Sequence, residues 1–156
     1  MDNQRGLATF EIILVVMIIA VLTTVAVPKM ARLVDKVQLD YEMKIFLSTL
    51  DFAKSLNKNA FYNGEIFQYT DLNKVSMVQI NIIENLRRYE VKQDSEVLKY
   101  HDLPKNFSIA DNLNGIIYFT KSNSGHVTLT SKLGDKRYIY IDSVGRWSGA
   151  NQERYQ

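Results

Sequence analysis

An apolar run from Leu7 to Val27, interrupted by a single carboxylate at Glu11, constrains this chain more than any other feature. At 1.5 Å rise per residue, about 21 helical residues reach roughly 31 Å, the hydrocarbon thickness of a bilayer. A cleaved secretory signal is the nearest rival. Its apolar region is usually about 7 to 15 residues, follows positive charge and precedes a small-x-small site. Here only Arg5 supplies positive side-chain charge ahead of the run, and Val25-Ala26-Val27-Pro28 is a poor cleavage site. Each Leu, Ile, Phe or Val favours insertion by roughly 0.3 to 0.6 kcal/mol, so together they outweigh one central acid at roughly 3 kcal/mol. The sequence predicts a membrane-spanning helix with Gly6 just before it and Pro28 just after. An ionisable group inside a span is costly, so Glu11 must either reach the headgroups or find a partner.

Past Pro28 the helical pattern continues. Met30, Leu33, Val34, Val37, Tyr41, Ile45 and Phe52 follow a three-to-four residue repeat, with Lys29, Arg32, Asp35, Lys36, Asp40 and Lys44 between them. This stripe is expected to pack on the rest of its own domain. One long helix is predicted from about Leu7 to Ala60, bent where Pro28 removes a hydrogen bond, and Asn63-Gly64 supplies its stop.

The remainder reads as strands: Glu65 to Thr70, Met77 to Ile83, Gly115 to Thr120, His126 to Ser131 and Arg137 to Asp142. These are short segments rich in β-branched and aromatic residues. Lys121-Ser122-Asn123-Ser124-Gly125 and Leu133-Gly134-Asp135-Lys136 are expected as hairpin loops. Between Asp71 and Asn106 the pattern is mixed, and Asn85-Leu86-Arg87-Arg88 fits a turn, a helical start or a loop. A helix laid across an antiparallel sheet buries both apolar faces, so the expected class is α+β. Residues 28–156 suffice for one domain with a modest core. With no cysteine there is no disulfide staple, and packing alone must hold that domain.

Enzyme chemistry finds no constellation. His101 and His126 lack metal-ligand spacing and read as solvated loop or strand-edge residues. Thiol chemistry is excluded, and neither a Gly-rich phosphate loop nor a serine elbow is present. Asp94, Glu96, Asp102 and Asp111 do not form an ordered calcium loop. No cofactor or metal is expected.

Gly6-Leu7-Ala8-Thr9-Phe10-Glu11, followed by Ile12-Ile13-Leu14-Val15-Val16, resembles the N-terminal signature of type IV pilins and pseudopilins. Members of that family carry a short hydrophilic leader ending in Gly, then an apolar helix whose fifth residue after the cut is Glu, and Pro28 falls where they usually have a proline. Thr9 stands one place later than the usual threonine, and Leu7 replaces the common Phe or Met. The resemblance implies a leader of residues 1–6, removed by a prepilin peptidase between Gly6 and Leu7, with N-methylation of the new Leu7 amine. It further implies a filament-core helix at residues 7–27, assembly through Glu11, and a pilin-like fold in which the long helix packs on an antiparallel sheet. The inner membrane, the peptidase and other pilin or pseudopilin subunits are the implied partners, with the C-terminal domain extracytoplasmic. Charge alone argues the other way, since Lys29, Arg32 and Lys36 follow the span and only Arg5 precedes it. Orientation therefore rests on the resemblance.

Leu47 to Phe67, the His101-Asp102-Leu103-Pro104 turn and Gly115 to Trp147 are similar to the GspH/FimT class of minor subunits. That class implies a structural subunit that helps initiate or cap a type IV pilus-like or type II secretion filament. The alternative is a minor pilin that binds DNA during competence uptake, with Arg146, Trp147 and Arg154 as the candidate contacts: Arg for phosphate and Trp for base stacking. Against it, the tail's Lys132, Lys136, Arg137, Arg146 and Arg154 are offset by Asp135, Asp142 and Glu153, and Trp147 suits a cap on the sheet core.

Overall fold

The computed structural model describes residues 3–62, 78–119, 124–142 and 146–150. Helix α1 runs without interruption from Asn3 to Tyr62, through Pro28. It begins four residues before the predicted start, because Asn3, Gln4 and Arg5 have no conformational reason to leave a helix. The predicted stop at Asn63-Gly64 and the predicted strand at Glu65 to Thr70 lie outside the described residues. Within the apolar run, Thr23 and Thr24 donate their hydroxyls to the carbonyls of Ile19 and Val21, at 2.6 and 2.7 Å. Their polar atoms are thereby satisfied inside the helix itself. Pro28 has no N–H to offer the Thr24 carbonyl, the single backbone bond that the helix forgoes here.

The chain divides into two compact units, Met1–Lys36 and Val37–Gln156. The described residues of the first all belong to α1. The second contains the rest of α1 and two four-stranded antiparallel sheets. The strands are β1 (Val78–Ile83), β2 (Arg88–Gln93), β3 (Glu96–Asp102), β4 (Ser108–Asp111), β5 (Ile116–Tyr118), β6 (Gly125–Thr130), β7 (Lys136–Ile141) and β8 (Trp147–Ala150). Their order is β3-β2-β1-β5 in one sheet and β4-β6-β7-β8 in the other. A short 3-10 turn, Glu84–Leu86, joins β1 to β2 and closes with Arg87 in the left-handed region at φ 52°. The ambiguous Asn85 to Arg88 stretch is thus a tight turn.

The predicted strands at Met77 to Ile83, Gly115 to Thr120, His126 to Ser131 and Arg137 to Asp142 correspond to β1, β5, β6 and β7. One expected hairpin is not formed. β5 pairs with β1 while β6 pairs with β4 and β7, so these two strands do not form a hairpin, and Lys121 to Asn123 of the expected loop lie outside the described residues. The β6–β7 hairpin is present, and its loop is closed by Ser131 and Gly134 at φ 86°, where only glycine is unstrained.

The core lies between α1 and the inward faces of both sheets. Leu39, Phe46, Leu50 and Ala53 of α1 are fully buried, together with Ile80, Val91, Ile117, Val127, Leu129 and Ile139 of the strands. Phe46 meets Tyr89 edge-on at 4.8 Å between ring centroids. This corrects the expectation for the helical stripe. Met30, Leu33, Val34, Val37, Tyr41 and Phe52 are exposed, and Ile45 is only half-buried. At 100° per residue, Leu39, Phe46, Leu50 and Ala53 project on the side of the helix opposite Met30, Val37 and Tyr41. The helix therefore has two apolar faces, and the sheets take the one that the stripe did not name.

β2 and β3 pair regularly from Arg88 with Asp102 to Val91 with Lys99, after which Lys92 faces Val97. Leu98 is the extra residue of a bulge on an edge strand.

Candidate functional site

The positions singled out for processing and assembly all belong to α1. Gly6 and Leu7 lie in its first turns, Glu11 one turn after Leu7, and Pro28 at the end of the apolar run. From Phe10 through Val27 the large side chains face outward, Phe10, Met17 and Leu22 each 64% exposed. A helix stretch that is apolar on every side and covered by nothing among the described residues suits lipid rather than water. Near the N-terminus the chain has one helix long and apolar enough to cross a membrane. Glu11 is on the outer surface of that helix.

The later half of α1 is tied to the sheets by ion pairs as well as by apolar packing. Glu42 is buried, and its Oε2 lies 2.8 Å from Nε2 of His101 on edge strand β3. Reading His101 as a solvated residue is therefore corrected. Its ring turns inward beside Tyr89, at 5.2 Å between centroids, because a buried carboxylate needs a donor. His126 sits on the central strand β6 between Tyr138 and Tyr140, not at a sheet edge. Arg137, almost fully buried, donates to Asp40 of the helix at 2.6 Å. Burial pushes the Tyr89 phenol far above its ordinary range. Its hydroxyl is fully enclosed, with the Thr49 hydroxyl as its polar neighbour.

Two of the acids weighed for calcium have other tasks. Asp102 receives both Arg88 Nε and Nη2, at 2.6 and 3.1 Å. The Arg88 hydrogen bond is the main cause of the lowered Asp102 pKa, and the same bond raises that of Arg88. Asp111 accepts from the N–H groups of Leu113 and Gly115, closing the turn after β4. Among the described residues no three His, Cys, Asp or Glu side chains converge.

Of the proposed DNA contacts, Arg146 holds Asp142 at 2.8 Å while staying largely exposed. Trp147 is half-buried, edge-on to Phe119 at 6.3 Å, with Lys54 Nζ 4.6 Å from its ring centre. It closes one end of the core, as expected. Arg154 lies outside the described residues.

Sequence reasoning missed Glu42 and Asp40 as anchors. Glu42 carried a signal, an acid on the helix face of Leu39 and Phe46, whereas Asp40 stands on the flank of that face and carried none. Compared with protein-family models, curated proteins and solved structures, the chain matches none.

Proposed function

We propose that this chain is a minor pilin or pseudopilin of the GspH/FimT kind, a membrane-anchored subunit that helps initiate or cap a type IV pilus-like or type II secretion filament. The observation that carries the reading is the Gly6-Leu7 to Glu11 spacing at the head of a helix whose apolar surface is entirely outward, on a chain whose second unit buries its own core. Such a helix is built to be covered first by lipid and then by other subunits.

Cleavage after Gly6 by a prepilin peptidase requires the first helical turns to open. Glycine lowers that barrier by about 1 kcal/mol relative to alanine and admits the backbone to an active site without side-chain clash. The new Leu7 amine is positive and lies one turn from Glu11 on the same face, so the two charges compensate each other within one helix or between neighbours. An uncompensated carboxylate in lipid or protein is expensive, which favours correct register.

Mass spectrometry of the mature protein tests the reading. An N-methylated Leu7 terminus is the expected result, and a working protein that still begins at Met1 overturns it. The DNA-uptake reading would require Arg146 and Trp147 to act from positions already engaged by Asp142, Phe119 and Lys54. Salt-dependent DNA binding that is lost in Arg146→Ala would restore it.

A further inference from the structure

The outward faces of the two sheets differ in chemistry. On the first, Arg88, Glu90, Lys92 and Asp102 are joined by ion pairs, the charged pattern expected where an antiparallel sheet faces water. On the second, Val127, Leu129, Ile139 and Ile141 are enclosed in the core, so strand alternation turns His126, Thr128, Thr130, Tyr138 and Tyr140 outward. Ile109 of β4 is buried and Gly149 of β8 backs onto Met43 of the helix, which leaves Ser108, Ala110, Ser148 and Ala150 outward on the two edge strands. No carboxylate stands among the described outward residues of this face, and Lys136 is its one permanent cation.

At the centre of the face, His126, Tyr138 and Tyr140 form one aromatic cluster, with ring centroids 6.1, 5.7 and 6.3 Å apart. Tyr138 is nearly enclosed, while the His126 and Tyr140 rings are half-buried. Hydroxyls stand beside the rings, since Thr128 is the register partner of Tyr138 and Ser148 that of Tyr140. Aromatic surface flanked by uncharged hydroxyls matches a sugar, which has C–H groups on the flat sides of its ring and hydroxyls around its rim. A polyanion is matched poorly, because it binds through several cations and this face has one. Neighbouring strands lie about 4.8 Å apart and a β-linked chain of pyranose rings advances about 5 Å per ring, so a chain laid across the strands sets one ring over each of the four.

We infer that the outward face of the β4-β6-β7-β8 sheet binds a neutral β-linked glycan chain laid across its strands, with sugar rings stacked on Tyr140 and His126 and sugar hydroxyls bonded to Thr128 and Ser148. The inference stands on this sheet alone. The state of the Leu7 terminus bears on the subunit reading and sugar binding bears on this one, so either fails without the other.

Titration calorimetry of the full-length protein, held in a detergent without a sugar headgroup, tests it with cellohexaose, glucose and single-stranded DNA as titrants. Cellohexaose is expected to bind with an affinity that salt does not change. No binding, or glucose binding as tightly as the hexasaccharide, overturns the inference. Tyr140→Ala is expected to weaken binding about tenfold and Tyr140→Phe to keep it. Tyr100→Ala removes an exposed ring from the outer face of the other sheet and is expected to change nothing, whereas an equal loss there means indiscriminate ring contact and overturns the inference. Ala110→Glu keeps every ring and places a charged side chain at an exposed edge position beside Thr128. It is expected to abolish binding even if Tyr140→Ala does not fold, and unchanged affinity overturns the inference. DNA binding that falls steeply with salt and is lost in Ala110→Glu assigns the face to a polyanion. A drop in the protein's own association state in that variant assigns it to a second copy. Either result overturns the glycan inference.

Discussion

The two halves of α1 use the same kinds of residue to opposite ends. Between Phe10 and Val27, isoleucine, leucine and valine stand outward on every side, while Leu39, Phe46 and Leu50 are completely enclosed by sheets. Helix propensity hardly distinguishes the halves. What differs is what covers each side chain: the chain's own strands enclose the second half, while nothing among the described residues covers the first, whose length and apolar content suit a membrane. Mutations in the second half should therefore lower domain stability and those in the first should leave it unchanged.

The largest expected effect is Phe46→Ala, which removes a fully enclosed ring and its contact with Tyr89. It should lower domain stability by about 3 to 5 kcal/mol, measured by urea unfolding of the detergent-solubilised protein. Val16→Ala in the same assay should leave domain stability unchanged, and an equal loss would break the contrast between the halves. His101→Ala comes next, because it strips the buried Glu42 carboxylate of its partner. A loss of about 2 kcal/mol is expected, with Glu42→Leu on the His101→Ala background recovering part of it. Glu11→Val sharpens the other side. Insertion and domain stability should be unchanged while incorporation into filaments falls, scored by co-purification with assembled subunits.

The smallest expected effect is a pH dependence at the exposed Arg88–Asp102 pair. The Asp102 pKa is lowered in the folded state, so its contribution is present above the ordinary value of 3.8 and fades as pH falls through the lower folded value. Asp102→Asn should reduce the fall in melting temperature between neutral and strongly acidic pH, by less at high salt. A wild-type curve that superimposes on the variant's would remove this pair from the account.

The long apolar helix was readable from length and apolar content alone, and β1, β6 and β7 because β-branched and aromatic residues dominate them. β2 and β3 were hidden by Arg88, Lys92, Lys99 and Asp102, which stand on an outer face or at an edge where charge is tolerated, and by Glu90, which is buried between the Arg88 and Lys92 cations. The helical stripe misled for a different reason. A 3.6-residue repeat shows that an apolar face exists, but when a helix has two, periodicity does not say which one meets the sheet. The residues that settle it, Leu39 and Phe46 with Glu42 between them, are interrupted by a carboxylate whose partner, His101, lies 59 positions away. The Lys121 to Gly125 stretch has good turn composition, and composition does not say whether the flanking strands pair. Gly6, Leu7, Glu11 and Pro28 were singled out from the sequence alone, and what the structure gives for them is a place on one uninterrupted helix.

The irregularity at Leu98 has a further effect. Together with the neighbouring Lys99 ammonium it spoils the straight row of amide donors and acceptors that an incoming extended segment would need. That edge of the domain is consequently a poor template for amyloid-like zippering.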